Sequence, residues 1–186
     1  MMQMGREVDR KTIELAKERE VRLRSGSGKP LPERQPGELG DPKTFALAGN
    51  ATFTVTNPVT GNRFTYKIRR PEDHEAGGKK DIWFVTVLTG PNNEQDYTYL
   101  GVILPPKGAF TRYTYVHGRN SAIGPTAPSG KAFAWIWARV DAGKAIGPAV
   151  ITHEGRCGRC GRTLTVPESV LSGFGPECAS KVELAR

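Results

Sequence analysis

Sulfur and imidazole are scarce in this chain: 186 residues contain three cysteines, three methionines and three histidines. An odd number of cysteines, all between 157 and 178, cannot form a full disulfide framework, and a reducing cytosol disfavours one in any case. No stretch approaches the roughly 20 apolar residues of a membrane span. Met1 to Arg24 lacks the apolar centre of a signal peptide, so a cytoplasmic protein with no membrane partner is expected. Also missing are a Walker A run, a Gly-x-Ser-x-Gly elbow and a His-Glu-x-x-His pair. The glycines of Ala76-Gly77-Gly78-Lys79-Lys80 are too few and wrongly spaced for a phosphate loop. His74 and His117 fall on predicted loops and read as loop residues rather than catalytic bases. An enzyme is therefore not expected.

Glycine and proline, by contrast, are plentiful at 22 and 14 residues, which points to turns and linkers. The length suits one modest domain with an appendage. A net charge of +8 and a pI near 9.6 favour contact with polyanions, since Lys and Arg displace counterions from phosphates. Acidic and basic residues are interspersed without a run of five like charges, so charge alone is equally consistent with simple solubility.

Four segments follow along the chain. Residues 1–24 are a charged tail, at most a marginal helix because the apolar positions form no stripe. Residues 25–42, rich in Gly, Ser and Pro, read as a flexible linker. Residues 43–146 read as an α+β domain and 147–186 as a zinc-finger module.

Within the α+β domain, Phe53 and Val55 alternate with threonines. After the turn Asn57 to Asn62 the alternation resumes at Phe64, Tyr66 and Ile68, which predicts a β-hairpin with Arg63, Thr65, Lys67 and Arg69 on its other face. Asp81 to Leu88 is apolar at both parities, the pattern of a strand covered on both sides. Tyr97 to Leu104 and Phe110 to Val116 complete an antiparallel meander of about five strands. Phe133, Ile136, Trp137 and Val140 fall at i, i+3, i+4 and i+7, which predicts one helix, N-capped by Ser129 and stopped at Gly143, with Trp137 packed on a strand such as Trp83 to Val87.

The C-terminal segment carries Cys157-Gly158-Arg159-Cys160 and a lone Cys178. A Cys-x2-Cys turn lets two thiolates chelate one ion, and the glycines beside it permit the tight geometry, so Zn²⁺ is the expected cofactor. Thr165 to Glu168 has capping-box spacing ahead of a short helix, and Gly175-Pro176 opens a second with Cys178 in its first turn. The layout is treble-clef-like. A structural zinc site takes four ligands, and His153 is the nearest candidate for the fourth. His117, His74 or an open position holding water remain as alternatives at this point. Arg156, Arg159 and Arg162 recur every third residue: they can offset the net −1 of three thiolates on Zn²⁺, or contact phosphate bidentately.

The string from Arg156 to Ser169, followed by Gly173-Phe174-Gly175-Pro176-Glu177-Cys178-Ala179, resembles a zinc-finger domain of unknown function found at the C-termini of proteins from phages and other bacterial mobile elements. Stretches Asn57 to Tyr66, Trp83 to Pro91 and Tyr97 to Gly101 are similar to the middle of the same proteins. The resemblance spans about residues 50–180 and brings no established activity. A histidine commonly precedes the first cysteine in that family, which implies His153 as the fourth ligand, and the context implied is a bacterial host cell.

Two functions are weighed. One is nucleic-acid binding, DNA or RNA, by a phage or mobile-element accessory protein through Arg63, Lys67, Arg69 and Arg70 with the finger arginines Arg156, Arg159 and Arg162. Tyr97, Tyr99, Tyr113 and Tyr115 would stack bases or simply pack in the sheet. The other is a protein-binding adaptor or inhibitor acting on a host or defence complex, its tail tethered by the linker.

Overall fold

The computed structural model describes residues 37–71, 81–108 and 111–183. The tail, the linker as far as residue 36, and the loop carrying His74 lie outside the described residues. No helix among those described is long and apolar enough to cross a membrane.

The architecture is α+β, as expected. Helix α1 (Pro42–Leu47) starts at Asp41, whose carboxylate accepts from the Thr44 N–H at 3.0 Å, with Pro42 where a missing N–H costs nothing. Strands β1 (Asn50–Thr56) and β2 (Arg63–Arg69) form the hairpin, closed by Asn57 N–H to Asn62 O at 2.8 Å. Strands β3 (Trp83–Leu88), β4 (Tyr97–Leu104) and β5 (Thr114–His117) extend the meander, and helix α2 (Pro128–Asp141) follows. A sixth strand, β6 (Val150–His153), then pairs antiparallel with β1, so the sheet order is β5-β4-β3-β2-β1-β6. Helices α3 (Pro167–Ser172) and α4 (Pro176–Glu183) belong to the finger.

Period-two alternation sends Phe53, Tyr66, Ile68, Trp83, Val85 and Ile103 to one face of the sheet, all buried. The helices pack there. Phe133 of α2 meets Tyr66 and Tyr115 with ring centroids 4.9 and 4.8 Å away, and Trp83 donates its indole N–H to Leu47 O of α1 at 2.9 Å. Each such aromatic or aliphatic side chain contributes roughly 1.5–3 kcal/mol on burial. Lys43 and Asp141, 2.7 Å apart, tie α1 to α2.

Several local expectations are corrected. Residues 37–42 are not linker: the Leu39 N–H bonds Ile151 O at 3.0 Å, Glu38 bridges to Thr152, and Leu39 is buried. A short apolar anchor inside a Gly/Pro-rich stretch carries no periodicity to reveal it. The boundary placed at 146/147 falls just before β6, a strand of the sheet, and the described residues on its two sides belong to one compact unit. Strand β3 is not covered on both sides by the described residues, because Phe84 is 42% exposed. Trp137 is buried, and its indole N–H donates to Tyr113 O at 2.9 Å, with Tyr113 in turn packed on Trp83 of β3. Neither Ser129 nor Thr165 caps its helix: Ala127 and Val166 hold those positions, each followed by a proline whose fixed φ starts the helix without a side-chain cap.

Candidate metal centre and basic hollow

The knuckle is a small hairpin. Arg156 bridges to Thr163, Cys157 N–H bonds Arg162 O at 2.8 Å, and Gly161 N–H returns to Cys157 O at 2.9 Å. Gly161 has φ +74°, a left-handed conformation that a side chain would strain. Gly158 serves differently: a Cβ there would lie 2.7 Å from the ring of Phe45, so its absence lets the knuckle seat on α1. Helix α3 stops at left-handed Gly173, and α4 then presents Cys178 in its first turn.

This folding brings the sulfurs of Cys157, Cys160 and Cys178 within 4.8 Å of one another, a group able to hold a metal ion. Cys157 is buried, Cys160 exposed and Cys178 between the two. Burial pushes the Cys157 thiol up, but backbone hydrogen bonds from Cys160, Gly175 and Arg159 outweigh it and bring it below the ordinary cysteine value. Cys178 is pushed up to about 11, by burial first and then by hydrogen bonds to the other two sulfurs and their charge. One thiolate is therefore prepared by the backbone, whereas further ionisation is opposed by negative neighbours. A cation among the sulfurs removes that opposition, so the donor set fits a thiophilic metal ion.

His153 is a correction. It lies on β6, opposite Phe53 on the covered face, and is not among the grouped ligand atoms. Both ring nitrogens are engaged: Nδ1 accepts from the Gly155 N–H at 3.1 Å, so Nε2 carries the proton and donates to Val170 O at 2.6 Å. The residue stitches α3 of the finger to the edge of the sheet. His117 is also engaged, by the Tyr115 hydroxyl at Nδ1 and Ile123 O at Nε2.

All but one of the basic residues singled out in the sequence gather around two adjoining hollows that share Asn50 and Arg69. The smaller, about 380 Å³, lies on the uncovered sheet face with Lys67, Arg69 and Arg156 facing Glu94 and Glu154. Arg156 stands 3.7 Å from Glu94, which offsets its charge. The larger, about 930 Å³, is lined by Arg69, Arg70, Arg159, Arg162 and Lys181 with Glu177 as its carboxylate, and Cys160 and Cys178 form part of its wall. Arg70 is paired with Asp81 and lies over Trp83. Arg63 lines neither hollow, being at the far end of β2 opposite Thr56.

Of the tyrosines, Tyr113 packs edge-on against Trp83 and Tyr115 against Phe133 on the covered face. On the other face Lys67 lies 3.7 Å over the ring of Tyr97. The exposed ring there is Phe84, in the wall of the larger hollow beside Arg69, its cross-strand partner. Phe84 was missed because β3 read as covered on both faces. Lys181 was missed too, although its i+3 spacing from Cys178 places both on one side of α4.

Residues 147–183 match the family model described as Family of unknown function (DUF6011). The DUF6011 match takes in β6, the knuckle and the two finger helices, and with them all three cysteines. No curated protein and no solved structure matches the chain.

Proposed function

We propose that this protein binds nucleic acid, with Zn²⁺ held by Cys157, Cys160 and Cys178 fixing the finger against the sheet. The observation that carries the reading is the convergence of Arg69 and Arg70 from the sheet with Arg159, Arg162 and Lys181 from the finger on one open hollow, opposed there by Glu177. Clustered guanidinium groups match phosphate oxygens bidentately. Exposed Phe84 at the margin offers a face for a base to stack on, as sheet-borne aromatics do in single-strand binders. Zinc suits three thiolates, and its role is to hold Arg159 and Arg162 in place rather than to react. The reading is of a binding protein, not an enzyme.

Anisotropy of a labelled single-stranded oligonucleotide, DNA and RNA in turn, tests it across a range of salt. Binding that weakens steeply as salt rises is expected, because counterions are released from each neutralised phosphate. Absent or salt-indifferent binding overturns the reading.

A further inference from the structure

We propose that the metal's fourth coordination position is open toward the larger hollow and takes an exchangeable oxyanion, a phosphate oxygen. The inference rests on the metal-binding part of the reading above and not on nucleic-acid binding. The three sulfurs supply three ligands, and no fourth His, Cys, Asp or Glu atom among the described residues joins their group. His153, the natural fourth by sequence, has both nitrogens committed to Gly155 and Val170. A metal on these sulfurs therefore draws its fourth ligand from elsewhere.

Its direction follows from burial. Cys157 is 1% exposed and sits at the back, while Cys160 and Cys178 are in the wall of the hollow, so the unshielded side of the site is the hollow side. What enters is set by charge. Three thiolates leave Zn²⁺ at net −1, which alone would repel an anion, but Arg69, Arg159, Arg162 and Lys181 line the same hollow and reverse the local sign. At about 930 Å³ the space admits a phosphate group with a substituent attached. The step is a ligand exchange: a phosphate oxygen lone pair forms the new bond to the metal, a bound water leaves, and no electron is transferred. Glu177 is, among the described residues, the one carboxylate in that wall and so the competing internal ligand there.

The test uses the full chain loaded with Co²⁺, with inorganic phosphate as the probe, read by cobalt visible absorption and by ³¹P NMR relaxation. Phosphate should shift the cobalt bands saturably, and ³¹P relaxation should rise far more with Co²⁺ than with Zn²⁺ in the site. The double variant Arg159→Gln/Arg162→Gln should need about tenfold more phosphate, through the loss of charge-assisted hydrogen bonds, with its phosphate-free spectrum unchanged. Glu177→Gln should leave the phosphate-free spectrum as it is. Cobalt bands indifferent to phosphate overturn the proposal, as does a spectrum changed by Glu177→Gln, which would mean that this carboxylate closes the site. Failure of the chain to take up Co²⁺ overturns it together with the metal reading. Oligonucleotide binding measured on the same sample separates the two ideas: binding without a phosphate response at cobalt sinks only the fourth position, and a phosphate response without oligonucleotide binding sinks only the nucleic-acid reading.

Discussion

The ring of Phe45 lies 5.6 Å from the imidazole of His153, centroid to centroid, and through that contact the first described helix, the edge strand and the finger become one packed body. Phe45 is fully buried, Phe174 of the finger closes on it at 5.7 Å, and Gly158 and Gly173 lie against its ring. Finger and sheet therefore share Phe45 as a common core side chain, beside the His153 bond to Val170.

Phe45→Ala should cost about 3–5 kcal/mol, the range for a large aromatic removed from a core. The loss should appear as a lowered midpoint of a single transition in chemical denaturation, followed both by tryptophan fluorescence, which reports β3 and α2 through Trp83, Trp135 and Trp137, and by metal release, which reports the finger. Two separated transitions in the unmodified protein would contradict a shared core.

His153→Ala should keep the metal and lose stability. The substitution leaves the Val170 carbonyl and the Gly155 N–H without their partner, at about 1–3 kcal/mol for an unsatisfied buried group. Metal analysis of the purified variant should return the same stoichiometry as the parent. A variant that folds but carries no metal would restore the imidazole to the ligand set.

What the sequence disclosed, and what it hid, divides along the range of the forces involved. The hairpin from Asn50 to Arg69, strand Tyr97 to Leu104 and the apolar face of α2 were legible because alternation and helical spacing are local signals repeated several times. The three cysteines were legible because their spacing is itself the chemistry. Strand β6 was not: four residues, Val150 to His153, hold too few alternations to stand out, and their pairing with β1 spans about a hundred residues. Leu39 was hidden for the same reason. His153 misled because a buried histidine bonded through both nitrogens and a metal-ligating one look alike in sequence, and proximity to Cys157 favoured the second. Phe84 misled because apolar residues at both parities do not say which face finds a partner.

Gly173→Ala should destabilise far more than Gly143→Ala. Both glycines have left-handed φ, +77° and +63°, so each substitution costs about 1–2 kcal/mol of backbone strain. At Gly143 a Cβ meets nothing within 4 Å, whereas at Gly173 it would lie 2.8 Å from the Phe45 ring and 3.2 Å from Leu39. Overpacking there adds roughly 1–3 kcal/mol. Equal melting temperatures for the two variants would show that the finger yields at this point.

Alkaline pH should weaken the fold through Tyr66. Burial, with a smaller contribution from Tyr115, holds its phenol well above the ordinary tyrosine value, and its hydroxyl donates to Ser129 O at 2.8 Å. The unfolded chain releases this proton near about pH 10 while the folded chain retains it. Stability from this group is thus fully present below that value and is lost as pH rises beyond it. Tyr66→Phe should lower stability by about 1 kcal/mol at neutral pH through the lost hydrogen bond, yet flatten the decline above about pH 10. Urea midpoints for parent and variant that run parallel through the alkaline range would rule this out.

The sharpest test of the basic surface compares two positions on one strand. Arg69 lines both hollows, while Arg63, six residues along β2, lines neither. If nucleic acid lies where the arginines of sheet and finger converge, Arg69→Gln should lower affinity and reduce the salt slope by about 0.7 for each single-strand phosphate that is no longer neutralised. Arg63→Gln removes the same formal charge and should leave the slope unchanged within error. Arg159→Gln should act like Arg69→Gln despite being distant in sequence, because the knuckle brings it to the same hollow. Equal losses of affinity at positions 63, 69 and 159 would mean that net charge alone governs binding, and the hollow would then have no special part in it.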